Sequence, residues 1–158
     1  MASTSVSGTG SAAPTAGWAS SLLAILMLAA PAAAQAPGEV DIRIEGLRNA
    51  RGTVRLCLTR NPAHFPDCNG DPAALKRSVP AAQTSIRIGG VAPGTYALAV
   101  IHDENGNARL DRFMAIPREG FGFSRNPAIR MGPPTFEEVR FPVANSSVRQ
   151  VIRMKYLL

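Results

Sequence analysis

From residue 39 onward the apolar positions of the chain recur at every second residue, and turn-forming residues interrupt them repeatedly. A period of two sends successive side chains to opposite faces of an extended strand, whereas a helix would repeat near 3.6. Val40, Ile42 and Ile44 alternate with Asp41, Arg43 and Glu45 and predict a half-buried strand ending at Gly46. A second strand is predicted over 53–59, with Val54, Leu56 and Leu58 on one face and Cys57 on the other. The Asn49-Ala-Arg-Gly52 turn between them predicts that the two form a hairpin.

The stretch 60–74 holds Pro62, Pro66 and Pro72 and reads as a loop, with Phe65 plugging the core edge and one helical turn over 72–76. Short strands follow at 77–81 and 84–88, then a Gly- and Pro-rich turn over 89–94. Residues 95–102 form the strongest strand of the chain. Tyr96, Leu98, Val100 and His102 share one face, while Ala97, Ala99 and Ile101 share the other, so this strand is expected at the centre of a sheet, covered on both sides. Residues 103–135 read as irregular apart from a short strand near 121–124; strands over 136–143 and 147–157 close the chain. Seven or eight short strands without a convincing helix predict an all-β fold, an antiparallel β-sandwich of immunoglobulin-like or prealbumin-like type.

Composition adds a compartment. Residues 1–38 carry no charged side chain, so all 17 Lys and Arg and all 11 Asp and Glu, with their net +6, belong to the later part. Within the uncharged part, Leu22-Leu-Ala-Ile-Leu-Met-Leu-Ala-Ala30 is too short to cross a bilayer, which takes about 20 residues. It suits the core of a signal peptide, and Ala32-x-Ala34 supplies the small residues of a cleavage site. Residues 1–34 are therefore expected to be a signal peptide with a long uncharged n-region, followed by one β-sandwich domain over 35–158 in the periplasm or secreted. Cys57 and Cys68 fit an oxidising compartment and are expected to form a disulfide. Only His64 lies between them and neither belongs to a C-x-x-C, which argues against a metal site. The positive residues are dispersed, which argues against a nucleic-acid footprint and is compatible with an anionic surface or an envelope protein as partner.

One segment carries candidate chemistry. In His102-Asp-Glu-Asn-Gly-Asn-Ala-Arg-Leu-Asp111, the residues Asp103, Asn105, Asn107 and Asp111 follow the spacing of a calcium loop, with Arg109 offering its backbone carbonyl. Ala108 stands where that pattern has Gly, and Met114 where it has the closing Glu. Asn105-Gly106 is equally a turn dipeptide, since Asn and Asp side chains bond their own backbone. Three readings stay open: a structural turn, a calcium-dependent binding loop, and a hydrolase using His102 with Asp103 or Asp111. Downstream, Phe121 and Phe123 with Glu119 and Arg125 form either a ligand platform beside His102 or a plug over the sandwich edge. No G-x-S-x-G elbow or phosphate-binding loop is present in the sequence.

At these residues the chain resembles domain-of-unknown-function family 2141. The resemblance rests on His102-Asp-Glu-Asn-Gly-Asn107, Leu110-Asp111, Ala115-Ile-Pro117, Glu119-Gly-Phe-Gly-Phe-Ser124 and Gly132-Pro-Pro-x-Phe136, and covers about 39–156. It implies an exported bacterial protein and assigns no activity. The departures are Ala108, where the family usually has Gly, and Arg112-Phe113, where a smaller or more polar pair is common. Val91-x-Pro-Gly-x-Tyr96 is also similar to prealbumin-like and Cna-B-like sandwiches. The expected function is a binding or structural accessory module of the cell envelope working through the 103–127 loop, with no cofactor other than calcium to consider.

Overall fold

The computed structural model describes residues 7–10 and 36–158. The expected signal segment and its cleavage site therefore lie, apart from 7–10, outside the described residues. The chain divides into Met1–Ala32 and Ala33–Leu158, and the architecture below is that of the second unit. Its strands are β1 (Gly38–Glu45), β2 (Thr53–Thr59), β3 (Leu75–Pro80), β4 (Ser85–Val91), β5 (Gly94–Asp103), β6 (Arg112–Phe113), β7 (Ile116–Pro117), β8 (Gly120–Phe123), β9 (Phe141–Val143) and β10 (Ser147–Arg153). A 3-10 turn, Pro62–His64, and a one-turn helix α1, Phe136–Val139, complete the elements. No helix among the described residues is long and apolar enough to cross a membrane.

Two sheets form the expected sandwich. The first has the order β10-β1-β4 and the second β3-β2-β5-β8, with β9 pairing β5 at Gly94–Tyr96 and β8 pairing it at Ala99–His102. Among the described residues every pairing is antiparallel except that of β1 with β10. The main core lies between the sheets: Val40, Ile42, Ile44, Ile86, Ile88 and Ile152 meet Val54, Leu56, Leu58, Tyr96, Leu98, Val100 and Phe141. The faces assigned to β2 and β5 from their period of two are those observed. Their opposite faces, bearing Cys57, Ala97 and Ala99, form a second core with Phe121, Phe123, Cys68, Phe136 and Val139. Phe65 packs over it, its ring 5.8 Å from Phe123 and 6.2 Å from Phe136. The segment between the paired Cys57 and Cys68 is thus a lid on the second sheet, and β5 is apolar on both faces because both are covered.

Three local expectations are corrected. β1 and β2 do not form a hairpin: they belong to opposite sheets, and 46–52 crosses between them. Alternation fixes which face is apolar, and either arrangement buries the same side chains. The stretch 72–76 is not a helical turn: 72–73 is a turn, and 75–76 already belong to β3. The strand expected over 136–143 opens as α1, where the Thr135 N–H donates to the Glu138 carboxylate at 2.7 Å, and only Phe141–Val143 is extended.

Candidate functional site

β5 delivers its last two residues, His102 and Asp103, to one end of the second sheet, both fully buried. The His102 ring lies between Tyr156 and the β1–β2 connection: Nδ1 is 2.7 Å from Tyr156 Oη and Nε2 is 2.8 Å from the Arg51 carbonyl oxygen. A carbonyl only accepts, so Nε2 carries the proton, and in the neutral ring the Tyr156 hydroxyl donates to Nδ1. The Arg48 N–H donates in turn to the phenol oxygen at 3.2 Å. Burial pushes the Tyr156 phenol above its ordinary pKa, which keeps it a donor. These bonds tie β5, the 46–52 connection and the C-terminal segment together.

Asp103 organises the loop that follows. Its Oδ1 accepts from the N–H groups of Gly106 (2.8 Å) and Asn107 (3.0 Å), and its Oδ2 from that of Ala108 (2.8 Å). Glu119, also buried, accepts from the N–H of Glu104 at 2.9 Å and of Asp111 at 3.0 Å. One carboxylate therefore holds the loop's middle and the other its two ends. On the outside, Asn105 Oδ1 accepts from the Asn107 N–H and Asn107 Oδ1 from the Arg109 N–H, while both amides donate to Asp111 at 2.7 and 2.8 Å.

The structure thus gathers Asp103, Asn105, Asn107 and Asp111 in one loop, but each of these side-chain oxygens is directed at an N–H donor. Arg109 enters through its N–H. Among the described residues no group of three or more His, Cys, Asp or Glu side chains is arranged to hold a metal ion. The spacing that resembles a cation loop is accompanied here by successive two-residue Asx turns at Asn105 and Asn107.

Glu104 faces outward. Burial pushes its carboxyl up, but hydrogen bonds from Arg48 and Asn49 and the Arg48 charge hold it below the ordinary carboxylate range. Arg48 reaches Glu104 Oε1 at 2.6–2.8 Å, the Leu158 oxygen at 2.7 Å and the Arg118 carbonyl at 2.9 Å, with its guanidinium carbon 4.6 Å from the Tyr156 ring centroid. Beside this strut Arg51, Arg118, Glu104, Asn105 and Asp111 line an open cleft of about 320 Å³.

Of the two alternatives for Phe121 and Phe123 the plug is the one observed: both are buried in the second core. Gly120 and Gly122 alternate with them because the other face of β8 is crowded; a Cβ on Gly122 would sit 2.5 Å from Ile152 Cγ2, and one on Gly120 2.5 Å from the Tyr156 ring. Arg125, beyond the other end of β8, donates to the Arg140 carbonyl at 3.3 Å and does not join His102 and Glu119. Sequence reasoning missed Arg48, Asn49 and Tyr156, which lie some fifty residues or more from their partners and carry no motif.

Ala108 has φ +66°, the left-handed region that disfavours a Cβ. Replacing Ala108 with Gly is expected to raise stability by about 0.5–1 kcal/mol, strain relief exceeding the entropy glycine adds to the unfolded chain. Thermal unfolding checks it: a lower Tm for Ala108→Gly would show that entropy dominates.

The family model described as "Uncharacterized protein conserved in bacteria (DUF2141)" matches residues 42–151, more than half of the chain. No curated protein and no solved structure matches it, and the prealbumin-like and Cna-B-like similarity of 91–96 is not confirmed by structural neighbours.

Proposed function

The chain belongs to this family, and on that premise we propose that it is an exported, non-catalytic binding module of the cell envelope that presents the outer surface of the 103–127 segment. The observation that carries the reading is the engagement of the buried polar groups. The carboxylates of Asp103 and Glu119 accept from loop N–H groups, and both His102 ring nitrogens are hydrogen-bonded. The groups a hydrolase would use as acid and base are committed to holding a loop. That loop is preorganised, which lowers the entropy lost on binding. Its outward groups, Arg109, Arg112 and Arg118, are exposed. Export is supported by the apolar run 22–30 with its Ala32-x-Ala34 and by the Cys57–Cys68 pair.

Hydrogen exchange on the chain mixed with bacterial envelope fragments that retain both lipid and protein tests this. Added protection is expected over 104–118; protection elsewhere, or none, overturns the reading. Turnover of ester, phosphate or glycoside substrates lost on His102→Ala would transfer the site to a hydrolase. Calcium is expected to leave Tm unmoved. A cation site held at a hundredfold its Kd would add about 2.7 kcal/mol, and a rise of that order would make the module calcium-dependent.

A further inference from the structure

Of the six large apolar side chains exposed among the described residues, Phe113, Met114 and Ile116 lie on the β6–β7 hairpin, with exposures of 56%, 83% and 42%. Leu157 and Leu158 are two more, and they share this end of the sandwich, because the Arg48 guanidinium binds the Leu158 and Arg118 oxygens together. Phe113 and Ile116 are directly paired across the hairpin, so their side chains lie on one side of it. The connecting Met114 and Ala115 have φ +47° and +69°, a tight two-residue turn that projects the Met114 side chain from its tip.

Arginines surround this patch. Arg109, Arg112 and Arg118 are exposed and form no ion pair among the described residues. Among the described residues none of the nearby carboxylates pairs with these arginines: Glu119 is buried on backbone N–H groups, Glu104 is paired with Arg48, and the half-exposed Asp111 accepts from the Asn105 and Asn107 amides. An apolar tip within a collar of unpaired arginines is complementary to a bilayer with anionic headgroups, where apolar side chains enter the acyl boundary and the cations stay at headgroup level. A protein partner fits less well. A stable protein interface buries about 800 Å² on each side with matched shape, and a two-residue hairpin offers only a small, protruding patch. A bilayer requires no such match.

We infer that the β6–β7 hairpin docks this end of the domain onto an anionic lipid surface, with Phe113, Met114 and Ile116 inserting and Arg109, Arg112 and Arg118 contacting headgroups. The inference rests on the reading of 103–127 as the binding surface and names its partner.

The test uses Ala33–Leu158, a compact unit that contains both cores and no tryptophan, since the chain's one Trp is Trp18. Phe113→Trp then reports on the hairpin alone. Vesicles of phosphatidylglycerol mixed with phosphatidylcholine are expected to shift its emission to shorter wavelength, an effect that falls with salt and is absent with phosphatidylcholine alone. Joint replacement of Phe113, Met114 and Ile116 by Ser weakens binding by at least about tenfold. Arg112→Gln and Arg118→Gln each weaken it about fivefold, the equivalent of about 1 kcal/mol per cation at the surface.

If the protein ignores anionic vesicles while envelope fragments still protect 104–118, the lipid inference falls and the reading beneath it stands. Equal binding to both vesicle types overturns the anionic partner. If the protein binds vesicles while the indole introduced by Phe113→Trp stays in water, or binding survives the triple Ser replacement, the inference falls.

Discussion

Replacing Asp103 with Asn is expected to lower the stability of the domain by about 2–3 kcal/mol and to release the N–H groups of Gly106, Asn107 and Ala108 to exchange. Asn keeps the volume and one oxygen. With Oδ1 retained toward Gly106 and Asn107, the new Nδ2 faces the Ala108 N–H, donor against donor, where Oδ2 accepted at 2.8 Å. The two remaining bonds lose their charge assistance, which roughly halves them. Arg55, 3.9 Å from Oδ2, also loses its counter-charge. Two effects oppose this: a neutral amide is cheaper to bury than a carboxylate, and the loop N–H groups lie near enough to water to find it as a partner. The matched control is Asp111→Asn. That half-exposed carboxylate accepts only from the Asn105 and Asn107 amides, and its loss is expected to cost under about 1 kcal/mol. Urea midpoints and amide exchange on both variants decide it. Equal, small effects would mean that water replaces Asp103 and that the loop is not held from beneath.

The contrast between these two carboxylates also shows what sequence could and could not reveal. Their residue types, and the loop itself, were legible: His102, Asp103, Asn105, Asn107 and Asp111 all take part in one structure. Their geometry was not, because alternate oxygens serve both a cation and Asx turns, and spacing does not show which N–H each oxygen accepts from. The period of two gave the correct faces of β2 and β5, and even the covering of β5 on both sides. It gave no neighbours, since Val40, Ile42 and Ile44 bury equally well beside β2 or across from it; hence the mistaken hairpin. The exposure of Phe121 and Phe123 turned on what covers the second sheet, and that cover, the 60–74 loop and α1, is too irregular to carry a period. The Thr135-x-x-Glu138 capping box at the start of α1 was not read from the sequence, because the helix is too short to show a period of its own. The Arg48 strut left no local sign at all, because its partners Glu104, Arg118 and Leu158 lie 56, 70 and 110 positions away.

Removing the Cys57–Cys68 bond by joint replacement with Ser is expected to lower stability by about 3 kcal/mol, or roughly 10 °C in Tm for a domain of this size. The bond closes a short loop, 11 positions between its ends, so the chain-entropy model places it near the middle of the usual range. Its position adds a second cost. The lid it anchors covers Ala97 and Ala99, side chains too small to hold it alone, and Cys68 is fully buried beneath. A hydroxyl there needs a partner that an apolar pocket does not supply. Opposing this, Cys68 has φ +56°, a conformation that can relax once the bond is gone. The lid also keeps two other anchors: Phe65 against Phe123 and Phe136, and the Thr59 hydroxyl donating to Asp71 at 2.5 Å. That hydrogen bond holds the Asp71 carboxyl below its ordinary pKa. Its contribution is present above the unfolded carboxylate pKa and is lost as pH falls through the lowered folded value. Acid is therefore expected to widen the gap between the disulfide-free variant and the parent, because protonating Asp71 weakens a remaining anchor. Denaturant titration of both proteins at neutral and acidic pH reads this directly. A loss under about 1 kcal/mol at neutral pH would show that Phe65 and Asp71 suffice to seat the lid. A gap that does not widen in acid would show that Asp71 does not anchor it.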